Sequence, residues 1–253
     1  MKLLLALMSI AFFQQANLAL AEELPPPQRS IAFVNVNVVT MSSSTPEILY
    51  NQTVTVSQNG SILEIGPSTK IKVPKNFLAV TGNGKLFLLP ALSDMHIHLE
   101  FPEQLELLLA KGVTTVRVMW GNDKEGKKSP NHFEIKKSIQ EGKRIGPRLF
   151  IASTPLDGPN PIWPGVIEIR TPAEGRTAVK NMVAKGYDFI KVYNNLSAES
   201  YTSIVKTAKE LKTPVVGHVP NAVGYYNAID AGQVSFEHLE GSLAAMKNEI
   251  PDD

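Results

Sequence analysis

Five side chains carry most of the chemistry this sequence can do. His96 and His98 lie one residue apart in ALSDMHIHLE, Lys191 sits inside FIKVY, His218 in VVGHVP and His238 in SFEHLEG. In an extended strand residues i and i+2 point to the same face, so His96 and His98 point together. Two converging imidazoles can bind one metal ion. The same spacing also suits two structural histidines bonded to their surroundings. Lys191 stands among apolar neighbours, where an ammonium is costly unless it is neutralised or paired. The chain has five histidines, and four of them fall at the ends of three apolar runs. Scattered structural histidines have little reason to adopt that arrangement. The fifth, His132 in SPNHFEIKKS, is expected on the solvated face of a helix.

The elements that must hold these residues read as alternating strands and helices from Phe87 onward. The strands are LFLLPALSDMHIH, VTTVRVMW, PRLFIAST, DFIKVY, PVVGHV and QVSFEHL. Thr171-Pro172-Ala173-Glu174 forms a capping box with proline at the first helical position, and Gly186 ends that helix before YDFIKVY. Gly112 likewise separates PEQLELLLAK from VTTVRVMW. Strands alternating with helices imply parallel pairing and an α/β fold. Six strands buried on both faces fit part of a (β/α)8 barrel of the TIM type better than a doubly wound sheet. No glycine-rich phosphate loop follows the first strand, which argues against a nucleotide fold. Active sites of such barrels form at the C-terminal ends of the strands, where these histidines fall.

Residues from about 30 to 85 have a different rhythm. IAFVNVNVVT and QTVTVSQNGSILEIGP are rich in Val, Ile and Thr, and Asn59-Gly60 between two alternating runs predicts a tight hairpin. The N-terminus differs again. Lys2 precedes an apolar run from Leu3 to Phe13, and Ala19-Leu20-Ala21 follows. This is the tripartite pattern of a signal peptide, and the run is too short to span a bilayer, which needs roughly 20 apolar residues. The expected organisation is a signal peptide over 1–21, a β unit over 22–85 and a partial barrel over 86–253. The expected location is periplasmic or extracellular, with no membrane association after cleavage. The chain has no cysteine, so its stability would come from the core rather than from disulfides. A net charge of +1 gives no electrostatic reason to expect nucleic acid or an anionic membrane as partner.

Taken in order, the motifs resemble the amidohydrolase superfamily: H-x-H on the first barrel strand, Lys on the fourth, His on the fifth and His on the sixth. GVTTVRVMWG, YDFIKVYN, VVGHVP and FEHLEG are similar to the branch that contains imidazolonepropionase-like proteins and Xaa-Pro dipeptidases. The resemblance runs from about residue 31 to 241, and the small β unit matches the N-terminal half of that family's β-sandwich. It implies that His96 and His98 ligate one buried metal, that Lys191, carboxylated on its amine, bridges two metals, and that His218 and His238 ligate the second. Lys191, His218 and His238 would then form the catalytic group, with two divalent ions, zinc by preference, as cofactors. A buried lysine has a depressed pKa, so its neutral amine can capture carbon dioxide. The implied reaction is hydrolysis of an amide or peptide bond in a small molecule or dipeptide, and a homo-oligomer is compatible with it.

Two positions depart from the family pattern. Ala91 stands where the family usually has glycine after proline. The family's strand 8 aspartate, which ligates the first metal and shuttles the proton, has no counterpart, because strand 6 is reached at His238 and only Asp252 and Asp253 follow near the terminus. The expectation is an N-terminal portion of a longer enzyme, with little activity alone. A non-catalytic metal-binding remnant and a mononuclear imidazolonepropionase-like hydrolase are the competing readings; Lys191 argues against the latter. Tyr193 shares the facing of Lys191 and suits either substrate contact or core packing. Trp120 and Trp163 could line the mouth, Asp94 suits a supporting role, and Arg117 is expected in an internal ion pair.

Overall fold

A computed structural model describes residues 29–42, 47–123, 130–239, 242 and 245. The expected signal peptide lies outside these residues. The chain divides into two compact units, one reaching to Leu92 with Gln140–Gly142, the other formed by Ser93–Ile139 and the chain from Lys143.

In the first unit, β1 (Ile31–Val39), β2 (Ile48–Val56), β3 (Ile62–Pro67), β4 (Leu78–Thr81) and β5 (Phe87–Leu88) form one sheet. β1 pairs antiparallel with β2, and β2 antiparallel with β3. β4 and β5 both run parallel to β1. The β2–β3 turn falls on Asn59-Gly60 as the sequence predicts. Gly60 takes φ +84°, a left-handed conformation that a residue without Cβ adopts cheaply, and its N–H donates to the Ser57 carbonyl at 2.9 Å. Val36, Val38 and Val54 form the buried core, with Phe33, Leu49, Val56 and Leu88 packed against it.

The second unit contains β6 (Leu92–Ile97), β7 (Val113–Val118), β8 (Arg148–Ile151), β9 (Leu156–Asp157), β10 (Ile167–Glu168), β11 (Ile190–Val192), β12 (Val215–Gly217) and β13 (Ser235–Phe236). Its helices are α1 (Gln104–Ala110), α2 (His132–Gln140), α3 (Pro172–Ala184), α4 (Ala198–Glu210) and α5 (Tyr225–Ala231). β6, β7 and β8 lie side by side, and the β7–β8, β11–β12 and β12–β13 pairs are parallel. A parallel bridge between Ala152 and Phe189 joins β8 to β11. The sheet path is therefore β6-β7-β8-β11-β12-β13, with one helix between successive strands. This is the strand and helix alternation of a (β/α) barrel, and among the described residues it does not close.

Side-chain alternation sorts the strands into two faces. Ile190, Val192 and Val215 pack in one cluster with Val179, Met182, Tyr201 and Ile204 of α3 and α4. Lys191, between Ile190 and Val192, therefore points to the opposite face. Phe189, Val216, Met119 and Ala152 form a separate cluster. A third cluster packs Leu99, Val116, Val118 and Leu149 against Leu105 of α1 and Ile135 and Ile139 of α2.

Local signals in the sequence take the form expected of them. Thr171 accepts from the Glu174 N–H at 3.2 Å and Glu174 accepts from the Thr171 N–H at 3.1 Å, closing the capping box on α3. Gly186 and Gly112 take φ +88° and +83° where their helices stop. His132 is the exception. It is buried, 1 % exposed, rather than solvated. The ring bonds the Leu99 carbonyl through Nε2 at 2.9 Å and accepts from the Asn122 N–H at 3.0 Å through Nδ1. The reason is helical phase: His132 shares the buried side of α2 with Ile135 and Ile139, at i, i+3 and i+7. Burial pushes its pKa down against the pull of the Leu99 bond.

Candidate metal centre

The C-terminal ends of β6, β11, β12 and β13 bring the five candidate residues into one neighbourhood. The His96 ring centroid lies 5.3 Å from that of His98 and 4.7 Å from that of His238. His238 in turn lies 5.1 Å from His218. His218 stacks on Tyr193 at 4.1 Å with an 18° tilt, and the Lys191 Nζ stands 5.1 Å from the centre of the same Tyr193 ring. Tyr193 is thus the packing surface between the fourth-strand lysine and the fifth-strand histidine. Trp120 meets Tyr193 edge-on at 6.5 Å. Trp163 is exposed.

Each candidate is held by identifiable chemistry. The backbone N–H of Lys191 donates to Ser153 Oγ at 2.9 Å, which seats β11 against the end of β8. The lysine side chain is fully buried and its Nζ has no hydrogen-bond partner among the described residues. Burial pushes its pKa down to about 8, with Glu237 pulling up and Arg117 pushing down. The His218 Nδ1 lies 2.6 Å from Asn194 Oδ1. An amide oxygen accepts, so Nδ1 carries the proton and Nε2 is the lone-pair nitrogen. Gly217 is required where β12 meets β11. Its φ is +122°, and a Cβ there would stand 2.3 Å from the Val192 carbonyl oxygen. Gln233 donates to the Gly217 and Ser235 carbonyls at 3.1 and 3.0 Å, tying the ends of β12 and β13.

His96 is partly buried and bonds Glu237 through Nδ1 at 2.6 Å, while its backbone N–H donates to Asp94 Oδ1 at 3.1 Å. Asp94 thus supports the strand end. Arg117 makes its ion pair with Glu237 at 2.7 Å. Burial works to raise the Glu237 carboxyl, but hydrogen bonds from His96 and Ser235 and the Arg117 charge outweigh it and hold the pKa at about 2. His98 is an exposed residue; partial desolvation, followed by the charges of Lys191, His96 and His238, pushes its pKa down to about 4. His238 sits in a short turn after β13 with φ 59°, and Leu239 follows at φ 55°. Consecutive left-handed residues that are not glycine are uncommon and cluster at functional sites.

Among the described residues, no three His, Cys, Asp or Glu side chains are already disposed to hold a metal ion. The five candidates are gathered but not converged into a ligand set of that kind. Their donor types do suit divalent metal. Imidazole nitrogen is a ligand for zinc and its neighbours in the first row, and Lys191 is a buried amine whose Nζ has no hydrogen-bond partner among the described residues. Two residues in this neighbourhood had been quoted in motifs without being singled out. Glu237 precedes His238 in SFEHLEG, and Asn194 ends YDFIKVYN. The available signal for Glu237 was a carboxylate next to a candidate ligand at the end of a buried strand.

Comparison with solved structures bears on the fold. A protein from Bifidobacterium longum described as a candidate prolidase superposes with a TM-score of 0.71 at 26 % identity, over 87 % of this chain and 57 % of that one. A bottromycin amidohydrolase superposes at 0.68 and 25 %, over 87 % and 45 %. This chain has the amidohydrolase-superfamily fold. A molinate hydrolase at 0.64 and 19 % identity, over 80 % and 56 %, supports the fold alone. The chain spans about half the length of these three proteins. No protein-family model and no curated protein sequence matches it.

Proposed function

We propose that this chain supplies the histidine and lysine ligands of a binuclear metal centre that hydrolyses a carbon–nitrogen bond in a small amide or dipeptide. One observation carries the reading: the Lys191 amine is fully buried, without a hydrogen-bond partner among the described residues, on the face of β11 that looks toward the histidines. Burial lowers the lysine pKa to about 8, so a far larger share of neutral amine is present near neutral pH than for an exposed lysine. That amine attacks carbon dioxide through its lone pair, a C–N bond forms, and one proton leaves to solvent. The product is a carbamate, an anionic two-oxygen donor. Such a group satisfies the site where the ammonium does not.

His96 and His98 would hold one ion and His218 and His238 the other, with the carboxylated Lys191 as a further oxygen donor; zinc is the ion proposed. Divalent ions there would lower the pKa of a shared water from about 15.7 toward 7 and polarise the scissile carbonyl. The chain's own residues position and exclude. Tyr193 closes the floor beside Lys191, Asn194 holds the His218 ring, and Trp120 packs against Tyr193. Glu237 is a poor proton acceptor, because Arg117, Ser235 and His96 already engage it and hold its pKa at about 2. The Asp94 carboxylate is likewise engaged, accepting from the His96 N–H at 3.1 Å. General acid–base help is typically worth about 10²–10⁴-fold, so this chain alone should turn over that much more slowly than ordinary enzyme rates of about 1–10³ per second.

The test supplies zinc and bicarbonate to the purified chain with a panel of Xaa-Pro dipeptides. Slow hydrolysis, abolished by His96→Ala, is the expected result. A chain that shows no zinc binding and no hydrolysis above the protein-free rate would overturn the proposal. A second reading is metal binding without catalysis, favoured by the engagement of the Glu237 carboxylate with Arg117, Ser235 and His96, which leaves it a poor proton acceptor. Zinc uptake without hydrolysis would select it.

A further inference from the structure

The Glu237 carboxylate is the most heavily engaged side chain near the site. Its Oε1 takes Arg117 Nη2 at 2.7 Å and Ser235 Oγ at 2.5 Å, and its Oε2 takes His96 Nδ1 at 2.6 Å. Arg117 is fixed in turn, because its Nε donates to the carbonyl of Met95, the residue before His96, at 2.7 Å, and its Nη2 also reaches Ser235 Oγ at 2.9 Å. Arg117 and Glu237 are both buried, 4 % and 6 % exposed. The chain of bonds therefore runs from β6 through Arg117 of β7 to Ser235 of β13 and back to β6 through the His96 ring.

An Arg–Glu pair with a serine donor is already a satisfied buried unit. The His96 bond is additional to it, and its direction matters. A carboxylate can only accept, so Nδ1 of His96 carries the proton and Nε2 is left as the nitrogen able to ligate. Asn194 imposes the same choice on His218. Carboxylates that bond the outer nitrogen of a ligating histidine fix its tautomer and orientation, and losing them typically costs 10–100-fold in metal affinity. Glu237 is also the neighbour of His238 in sequence. One carboxylate thus ties the strand bearing the first candidate ligand to the turn bearing the last.

We infer that Glu237 is a positioning residue: anchored by Arg117 and Ser235, it sets the tautomer and aim of the His96 ring so that Nε2 faces the metal centre. The inference rests on the function proposed above for His96, but half of it stands on the metal-free chain. That half is tested by ¹⁵N–¹H correlation of the imidazole nitrogens in metal-free protein at about pH 8. Wild type should show His96 protonated at Nδ1. Glu237→Ala should release it to a mixture of tautomers. Glu237→Gln keeps the size and one acceptor oxygen, so it should fold even if Glu237→Ala does not, and retain the Nδ1–H form in part. Zinc titration supplies the second readout. Affinity should fall about 10–100-fold in Glu237→Ala and less in Glu237→Gln, while Lys209→Ala, an exposed residue in the last turn of α4, leaves it unchanged. A wild-type His96 protonated at Nε2, or tautomer and zinc affinity unaltered in both Glu237 variants, would overturn the inference. Wild type that shows the Nδ1–H form but takes up no zinc would instead count against the proposed metal centre while upholding the orientation of the ring by Glu237.

Discussion

Replacing Lys191 by methionine should stabilise the metal-free chain at neutral pH. The lysine is fully buried, and its amine has no hydrogen-bond partner among the described residues. Its pKa falls from the ordinary 10.5 to about 8, a difference of about 2.5 units. At about 1.36 kcal/mol per unit, the folded state carries a penalty of about 3 kcal/mol for holding the ammonium. The sign follows from proton linkage. Between about pH 8 and 10.5 the unfolded chain binds the proton and the folded chain does not, so stability rises with pH across that window and the penalty is complete below it. Methionine matches the length of the lysine stem, and such volume-conserving exchanges usually cost under about 1.5 kcal/mol. The expected gain at pH 7 is therefore about 2–3 kcal/mol, shrinking toward zero by about pH 10.5. Urea unfolding under carbon-dioxide-free conditions measures it as a rise in midpoint at unchanged slope. A variant less stable than wild type at pH 7, or a difference that does not vary with pH, would refute the claim that an unsatisfied ammonium is strained in this site.

Other outcomes follow from the same structure. Acidification should destabilise the chain in two stages. The His98 pKa of about 4 lies below its ordinary 6.5, so the unfolded chain takes the proton first and stability falls from about pH 6.5 toward 4. The Glu237 pKa of about 2 lies below its ordinary 4.5, so the support of its carboxylate is full above about pH 4.5 and is lost as pH falls through about 2. Urea midpoints against pH should show both limbs, and Glu237→Gln should flatten the lower one; a flat profile between about pH 7 and 4 would contradict this. Gly217→Ala should cost on the order of 3 kcal/mol, because a Cβ 2.3 Å from the Val192 carbonyl oxygen, at φ +122°, must push β12 off β11. A loss under about 0.5 kcal/mol would show that the strands yield freely.

The barrel strands were legible because their apolar runs are bounded by glycine and capping signals. Gly112, Gly186 and the Thr171–Glu174 box marked helix ends, and Asn59-Gly60 marked the hairpin, since each needs a particular backbone geometry that few residues supply. The histidines and Lys191 were legible because polar residues in apolar strands demand a reason. His132 was misread because SPNHFEIKKS looks polar by composition, although its phase with Ile135 and Ile139 places it inward. Glu237 and Asn194 were not singled out for a different reason. Their roles depend on bonds to His96, 141 residues away, and to His218, 24 residues away, and strand pairing rather than local pattern brings those partners together. The parallel placement of β4 and β5 on one strand, β1, likewise depends on pairing across the sequence that no local signal encodes.

The central claim is that Lys191 is carboxylated and holds metal with the four histidines. Carbon-13 NMR of the chain equilibrated with ¹³C-labelled bicarbonate, before and after zinc, tests it most directly. A carbamate resonance that sharpens and persists on adding zinc, absent in Lys191→Met, is the predicted result. Zinc taken up to the same extent by wild type and Lys191→Met, with no carbamate resonance in either, would contradict the account.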